Sequence, residues 1–471
     1  MAGTLTLSFF LLVIIFLVGM TYKLRALVSR VNESEENIEA GELQKEGLEK
    51  IQSFLYAALV VASIGAVCTL YYLLKGTVWE GHLLEWLNVI IRLMHFAFGI
   101  AWIGASFYFV FLENALNRTE GVREELAGNL WAVHGGGFYY LEKYKVAPKK
   151  IPKHLHWFKY EAYFTWLTGF SLLFVVYYFN ASAMLIDKQV LDLSPLAGIG
   201  IGIGSFIISW ILYDRLCRSP LARNPYLFVL VGVLLLAAFA FGYSQIFNSR
   251  AAYIHFGAMM GSIMVANVFF IIIPSQKLMV KSAKKGVMPD PAIGKHALMR
   301  SIHNNYFTLP VLFVMVSNHF PSTFGNEWQW IILLVISLGT AGVKHYMNLR
   351  EKGQYSVWVL PVSILILLGA AFMSAPEASK GDCNKELSSE DIMPIIRQRC
   401  ASCHASNPTD DVYTAPPNGV KYDTPDDIIK LRDKIMQRVV VTKTMPPNNK
   451  TNITDEERKL IGCWIEQGAK K

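Results

Sequence analysis

The sequence predicts an all-α protein: a polytopic bundle of about ten membrane-spanning helices, followed by a small and separate helical domain. Three observations predict it. Of 471 residues, 53% are hydrophobic and only 17% charged, and the mean hydropathy is +0.33, a membrane composition. Apolar runs of about twenty residues, long enough to cross a bilayer, recur up to residue 374. They then stop, and residues 375–471 carry 15 Lys and Arg against 15 Asp and Glu.

The expected spans lie near 4–21, 53–74, 87–112, 160–180, 195–213, 226–244, 251–273, 302–319, 328–343 and 356–374. The first lacks a basic stretch before it and is followed by Lys23, Arg25 and Arg30, so it reads as a retained span with its N-terminus outside, not a cleaved signal. Positive charge then orients the rest. Loops 22–52, 113–159, 214–225, 274–301 and 344–355 carry 25 Lys and Arg together, whereas the alternate loops carry only Lys75, Lys188 and Arg250. Both termini are therefore expected outside. The net charge of +8 is topology rather than a sign of nucleic acid, and the expected macromolecular partner is the bilayer. Three domains follow: 1–86, two helices with a charged linker; 87–374, an eight-helix membrane domain; and 375–471, the soluble domain.

The soluble segment contains Cys400-Ala-Ser-Cys403-His404. Two cysteines at this spacing take thioether bonds to haem vinyl groups, and the adjoining histidine binds the iron. A zinc half-site would need a second ligand pair, and a thioredoxin-like pair would need a βαβ setting; neither is visible. The expected cofactor is one covalent haem c, in a small α-helical cytochrome c domain. Such haem is attached outside the bacterial cytoplasm, in agreement with the charge pattern, so the expected location is the bacterial inner membrane with this domain periplasmic. The second iron ligand is expected to be Met445, held in the stiff loop Thr444-Met445-Pro446-Pro447. Met436, in a helical-looking run, is more simply a packing residue. Ser388–Arg399 and Thr454–Gln467 read as amphipathic helices. Cys383 and Cys463 flank the motif and either pair or remain two thiols.

Polar groups inside spans are costly and usually functional. Arg92, His95, Gly99, Trp102 and Ser106 form one stripe on the third span. The alternative has Arg92 reaching to the interface and His95 bonded to a neighbouring helix. His95 and His255, both in the outer half, are a candidate pair for haem b; isolated histidines bonding neighbouring spans is the competing reading. Facing inward are His134, Glu161, His303, Asn304 and Asn305. His134-Gly-Gly-Gly is not a lipase oxyanion loop, because no G-x-S-x-G accompanies it. Gly198, Gly200, Gly202 and Gly204 indicate close helix packing.

Four strings occur in order: Arg92-Leu-Met-His95 with Ala101-Trp102-Ile-Gly-Ala-Ser106; Trp131-Ala-Val-His134-Gly-Gly-Gly; His156-Trp-Phe-Lys-Tyr-Glu161; and His303-Asn-Asn305-Tyr with Ser317-Asn-His319. With the C-terminal motif, they resemble the bacterial membrane-bound urate oxidase (urate hydroxylase) family over about residues 87–471. The first two spans lie outside that resemblance. It implies eight spans fused to a periplasmic cytochrome c domain, and oxidation of urate to 5-hydroxyisourate in purine catabolism. Electrons would pass to the fused haem and on to a cytochrome or terminal oxidase.

Urate is a planar monoanion, which calls for a cationic donor, amide edges and an aromatic platform. Arg92, Asn304, Asn305, Trp102 and Tyr163 are suitable types, and histidine or Glu161 suits proton removal. Because purine breakdown is cytoplasmic, the inner cluster is expected to meet substrate and the outer one to pass electrons on. A respiratory subunit carrying electrons from quinol to haem c, without urate chemistry, is the alternative.

Overall fold

The computed structural model of the chain describes residues 11–22, 38–74, 77–152, 154–375, 383, 385–410, 413 and 415–471. Residues 4–10 of the first expected span, and Lys23, Arg25, Arg30, Lys75 and Lys153, lie outside them. The chain forms two compact units, Met1–Leu87 and Asn88–Lys471. The first contains α1 (Leu11–Tyr22) and α2 (Ile38–Leu74). Leu48, Leu55, Ala62 and Ala66 make one buried stripe on α2, while Phe54, Val60, Val61 and Ile64 are exposed, as on a helix bathed in lipid.

Helix α3 (Val78–Ala115) leads into the second unit. After it comes an antiparallel hairpin, β1 (Leu126–His134) and β2 (Gly137–Tyr144). The all-α expectation is corrected here. Gly135 and Gly136 turn the chain at φ +59° and +78°, the left-handed pair that a two-residue hairpin turn requires. Aromatic and branched side chains flank them. Trp131 sits opposite Tyr140, and Val133 opposite Phe138. The hairpin root is tied to the end of α3 by reciprocal backbone bonds between Asn117 and Asn129 (2.8 and 3.1 Å) and by the Lys143–Glu113 ion pair.

The remaining membrane-type helices are α4 (Tyr160–Leu173, continued by a π-helical turn to Tyr178), the short α5 (Ala181–Met184), α6 (Pro195–Arg218), α7 (Pro225–Ser244), and α8 (Ser249–Ala266, continued by a π-helical stretch to Ile272 and then α9, Ile273–Lys284). Next come α10 (Pro291–Ser317), the short α11 (Pro321–Phe324), α12 (Gln329–Glu351) and α13 (Val359–Met373). Helix occurs at each of the ten expected places, but only six described helices are long and apolar enough to cross a membrane: 54–74, 81–115, 195–218, 225–244, 249–284 and 329–351. Helices α1 and α13 are apolar but shorter. Helix α10 is long but carries Lys295, Arg300, His303, Asn304 and Asn305.

Helix α8 runs through the core. Phe256, Met259 and Met260 are fully buried on it, and Gly257 lets Val314 of α10 come so close that a Cβ would meet it at 2.4 Å. Gly198 and Gly202 do the same for α6. The first accepts Leu185 and Ile186, and the second accepts Tyr178 and His255, whereas Gly200 and Gly204 face open space. The glycine run is indeed a packing surface.

The C-terminal segment has its own core around Ile392, Ile396, Ile428, Ile435, Ile461 and Trp464. Its helices are α14 (Ser389–Arg399), α15 (Ala401–His404), α16 (Pro425–Lys430), α17 (Arg432–Ile435, continued by a π-helical turn to Val441) and α18 (Asp455–Glu466). Reciprocal capping boxes start α14, α16 and α18, from Ser388, Thr424 and Thr454. Cys383 and Cys463, left open by the sequence, form a disulfide.

Candidate functional site

The stripe on α3 faces inward. Arg92, His95, Gly99 and Trp102 line a cavity of about 180 Å³ walled by α3, α4, α8 and α10. This is small for a binding pocket and suits a compact ligand. Ser106, the next member of the stripe, accepts a hydrogen bond from Asn305 (3.4 Å).

His95 is held from one side. Its Nδ1 lies 3.0 Å from the Thr165 carbonyl and 3.1 Å from Thr168 Oγ1. A carbonyl only accepts, so Nδ1 carries the proton and Nε2 presents a lone pair. The ring fits because residue 169 is glycine: a Cβ there would sit 2.8 Å from His95 Cε1. The Arg92 guanidinium holds Asn88 Oδ1 at 3.1 Å.

Two further polar residues line the cavity, Arg250 and Asn318, the second known from the sequence only as part of the fourth string. Arg250, there only an isolated outer charge, donates from Nε to Asn318 Oδ1 (2.9 Å) and stands over the Tyr177 ring. Asn318 Oδ1 also accepts from the Tyr177 hydroxyl (3.2 Å), which leaves its amide N–H groups to donate elsewhere. Both residues sit at the start or end of a helix, where no periodic stripe marks them. Trp166 Nε1 donates to Ser262 (3.0 Å), and both line the cavity with Phe170. No Asp or Glu does so among the described residues.

The inner candidates are placed differently. Asn304 accepts from Asn267 (2.8 Å) and donates to the Met264 carbonyl (2.9 Å). Asn305 accepts from Asn348 (3.1 Å) and donates to Ser106. Both amides join neighbouring helices, and neither residue lines the cavity. His303 bonds the Tyr213 hydroxyl (2.8 Å) and stacks on Phe228. Glu161 also stands away from the cavity, with Oε2 buried and unpartnered. His134 is exposed at the hairpin tip and does not line the cavity. His255 is fully buried, with Nε2 on the Tyr178 hydroxyl (3.0 Å) and Nδ1 on the Ala251 carbonyl (2.8 Å). It does not line the cavity that His95 lines, so the structure does not assemble these two as a ligand pair.

In the C-terminal segment, His404 Nδ1 lies 3.0 Å from the Val420 carbonyl. It is therefore the protonated nitrogen, and Nε2 is the one with a lone pair. Burial lowers the His404 pKa and pushes the Cys400 thiol up to about 12. Cys400 and Cys403 are unpaired thiols. Cys400 and Met445 belong to one apolar cluster, with Tyr422 and Val440. The Met445 N–H donates to the Arg438 carbonyl (3.0 Å), and its own carbonyl accepts from Arg458 (2.8 Å). Met436 is half-buried and opens the π-helical turn.

Residues 81–375 match the urate oxidase N-terminal family. The chain belongs to this family. No curated protein and no solved structure matches it. The family match runs from α3 to the end of α13, so it contains the whole cavity and stops before the C-terminal segment. Membership of the urate oxidase N-terminal family indicates a urate-related oxidoreductase, and the apolar helices fit a multi-pass membrane protein.

Proposed function

We propose that this protein hydroxylates urate to 5-hydroxyisourate in the cavity between α3, α4, α8 and α10. The C-terminal segment would then be a cytochrome c domain on the outer face of the bacterial inner membrane, passing electrons to a cytochrome or terminal oxidase. The observation that carries this reading is an aromatic-walled cavity lined by two guanidiniums and an imidazole, with no carboxylate. Such a lining favours a planar anion. Arg92 and Arg250 supply charge, and the Asn318 amide donates to a purine carbonyl. Trp102, Trp166 and Phe170 offer ring faces. His95 Nε2 is the base that takes a proton, its Nδ1–H fixed on Thr165. In sum, the urate monoanion and one water give neutral 5-hydroxyisourate, one proton and two electrons.

The C-terminal residues fit a covalent haem. Cys400 and Cys403 provide thiols, His404 keeps the Nε2 lone pair for an iron, and Met445 shares the apolar cluster of Cys400. No group of three or more His, Cys, Asp or Glu suited to a bare metal ion occurs among the described residues; a haem needs none, since the porphyrin supplies four ligands. When bound, the haem accepts electrons one at a time. With both His255 nitrogens engaged, haem b forms no part of this proposal.

The test is anaerobic addition of urate to membranes while reduced c-haem absorption is followed. Reduction by urate is expected. Reduction by quinol but not by urate would establish the respiratory alternative instead.

A further inference from the structure

The C-terminal segment meets the membrane core through a stretch that includes Met445. On one side of Met445, Thr442 and Thr444 lie against Gly325. A Cβ at Gly325 would come within 2.6 Å of the Thr442 carbonyl oxygen and 2.9 Å of Thr444 Cγ2, an approach that only glycine permits. On the other side, Asn448 donates from Nδ2 to the Ala183 carbonyl (3.0 Å) and to the Ile186 carbonyl. Both acceptors follow closely on Tyr177, a wall of the cavity. The Tyr413 hydroxyl meets Met184 Sδ beside them (3.8 Å).

A second thread reaches the same place. The carbonyl of Arg438 accepts the Met445 N–H. Its guanidinium is held below its ordinary pKa by burial and by the facing charge of Arg250. Arg250 lines the cavity together with Arg92.

We propose that residues 438–449 are the junction that couples the cavity to the C-terminal domain. Asn448 and Gly325 are positioning residues that hold the Met445 loop against the membrane core. What crosses the junction, electrons from urate, rests on the function proposed above; the junction itself rests on the contacts.

Two measurements on the full-length protein in membranes test it. First, Asn448→Cys with Ile186→Cys, in a Cys68→Ser background, should be bridged by a short bis-maleimide. Second, Asn448→Ala and Gly325→Leu should each slow urate-driven haem reduction about tenfold, the factor that 1.4 kcal/mol of lost docking represents. Reduction by a small soluble donor and the c-haem spectrum should not change. No cross-link in protein that holds its haem overturns the junction. Parent rates in both variants overturn the positioning role. If urate fails to reduce the parent haem, that failure belongs to the proposed function, and the cross-link decides the junction alone.

Discussion

Gly169 is the sharpest lever on the proposed base. A Cβ at this position would lie 2.8 Å from His95 Cε1, against the 3.4 Å at which ordinary contact begins, so in Gly169→Ala the ring must retreat by about 0.6 Å. The Nδ1 anchor to the Thr165 carbonyl is 3.0 Å long. A retreat of that size stretches it toward about 3.6 Å, where a hydrogen bond no longer exists. The loss is about 1 kcal/mol of orientation, and overpacking adds about 1–3 kcal/mol of destabilisation. A base displaced by a good fraction of an ångström should slow turnover about ten- to a hundredfold. The assay is kcat for urate-driven haem reduction, with thermal melting and the c-haem spectrum recorded alongside. Gly200→Ala is the control, since nothing lies within 4 Å of a Cβ there. A Gly169→Ala protein that is folded, loaded with haem and turns over at the parent rate would show that His95 is not the base.

Arg92→Met and Arg250→Met should each raise KM for urate about ten- to a hundredfold, the worth of one charge-assisted bond, and an unchanged KM in both would remove the anion site. Cys383→Ser opens a loop of 80 residues, for which chain entropy sets a loss of about 4.5 kcal/mol; melting of the C-terminal segment should drop by about 20–35 °C, and no drop would mean the bridge is not formed in the protein. Glu457 adds a pH dependence. Burial pushes its carboxyl up, but hydrogen bonds from Arg399 and the Thr454 N–H outweigh this and hold it below the ordinary 4.5. Its contribution is therefore present above pH 4.5 and lost as pH falls below that value. In melting curves over that range Glu457→Gln should lose less stability than the parent, and parallel curves would contradict this.

Much of the architecture was legible because it rests on periodicity. The α3 stripe was visible at spacings of three and four, and a stripe containing Arg92 in an apolar helix has to face inward. Helices α14 and α18 were visible as amphipathic runs, and Thr454-Asp-Glu-Glu marks the start of the second. The hairpin was also encoded, since Gly135-Gly136 between aromatic runs is a turn signal, but beside His134 the same glycines also fit the pattern of a catalytic loop. The site was less legible. Asn304 and Asn305 have the chemistry of a purine-binding pair, and nothing in the sequence tells that both amides are consumed by Asn267, Met264, Asn348 and Ser106. In a membrane bundle such residues also join helices, and only the fold separates the two uses. Arg250 and Asn318 come together from α8 and the end of α10, a meeting that no spacing records.

Moving the chemistry from the inner cluster to the Arg92–Arg250 cavity changes what the reaction does to the membrane. The cavity lies at the end of the bundle where Ala183, Ile186 and Gly325 meet the C-terminal segment. On the proposed reading, substrate, proton and electrons would enter and leave on one side, and no charge would cross the bilayer. Had urate reacted at Asn304 and Asn305, two electrons would traverse the span toward the haem while a proton stayed behind, and each turnover would make the interior more positive. Sealed vesicles with the C-terminal domain outward separate the two cases. With an impermeant external oxidant, external urate should support turnover and a potential-sensitive dye should stay silent. Turnover that requires urate in the lumen, or a growing interior-positive potential, would return the substrate site to the inner end of α10. The dye is the stronger readout, because it follows where the charges separate even if urate leaks through the vesicle wall.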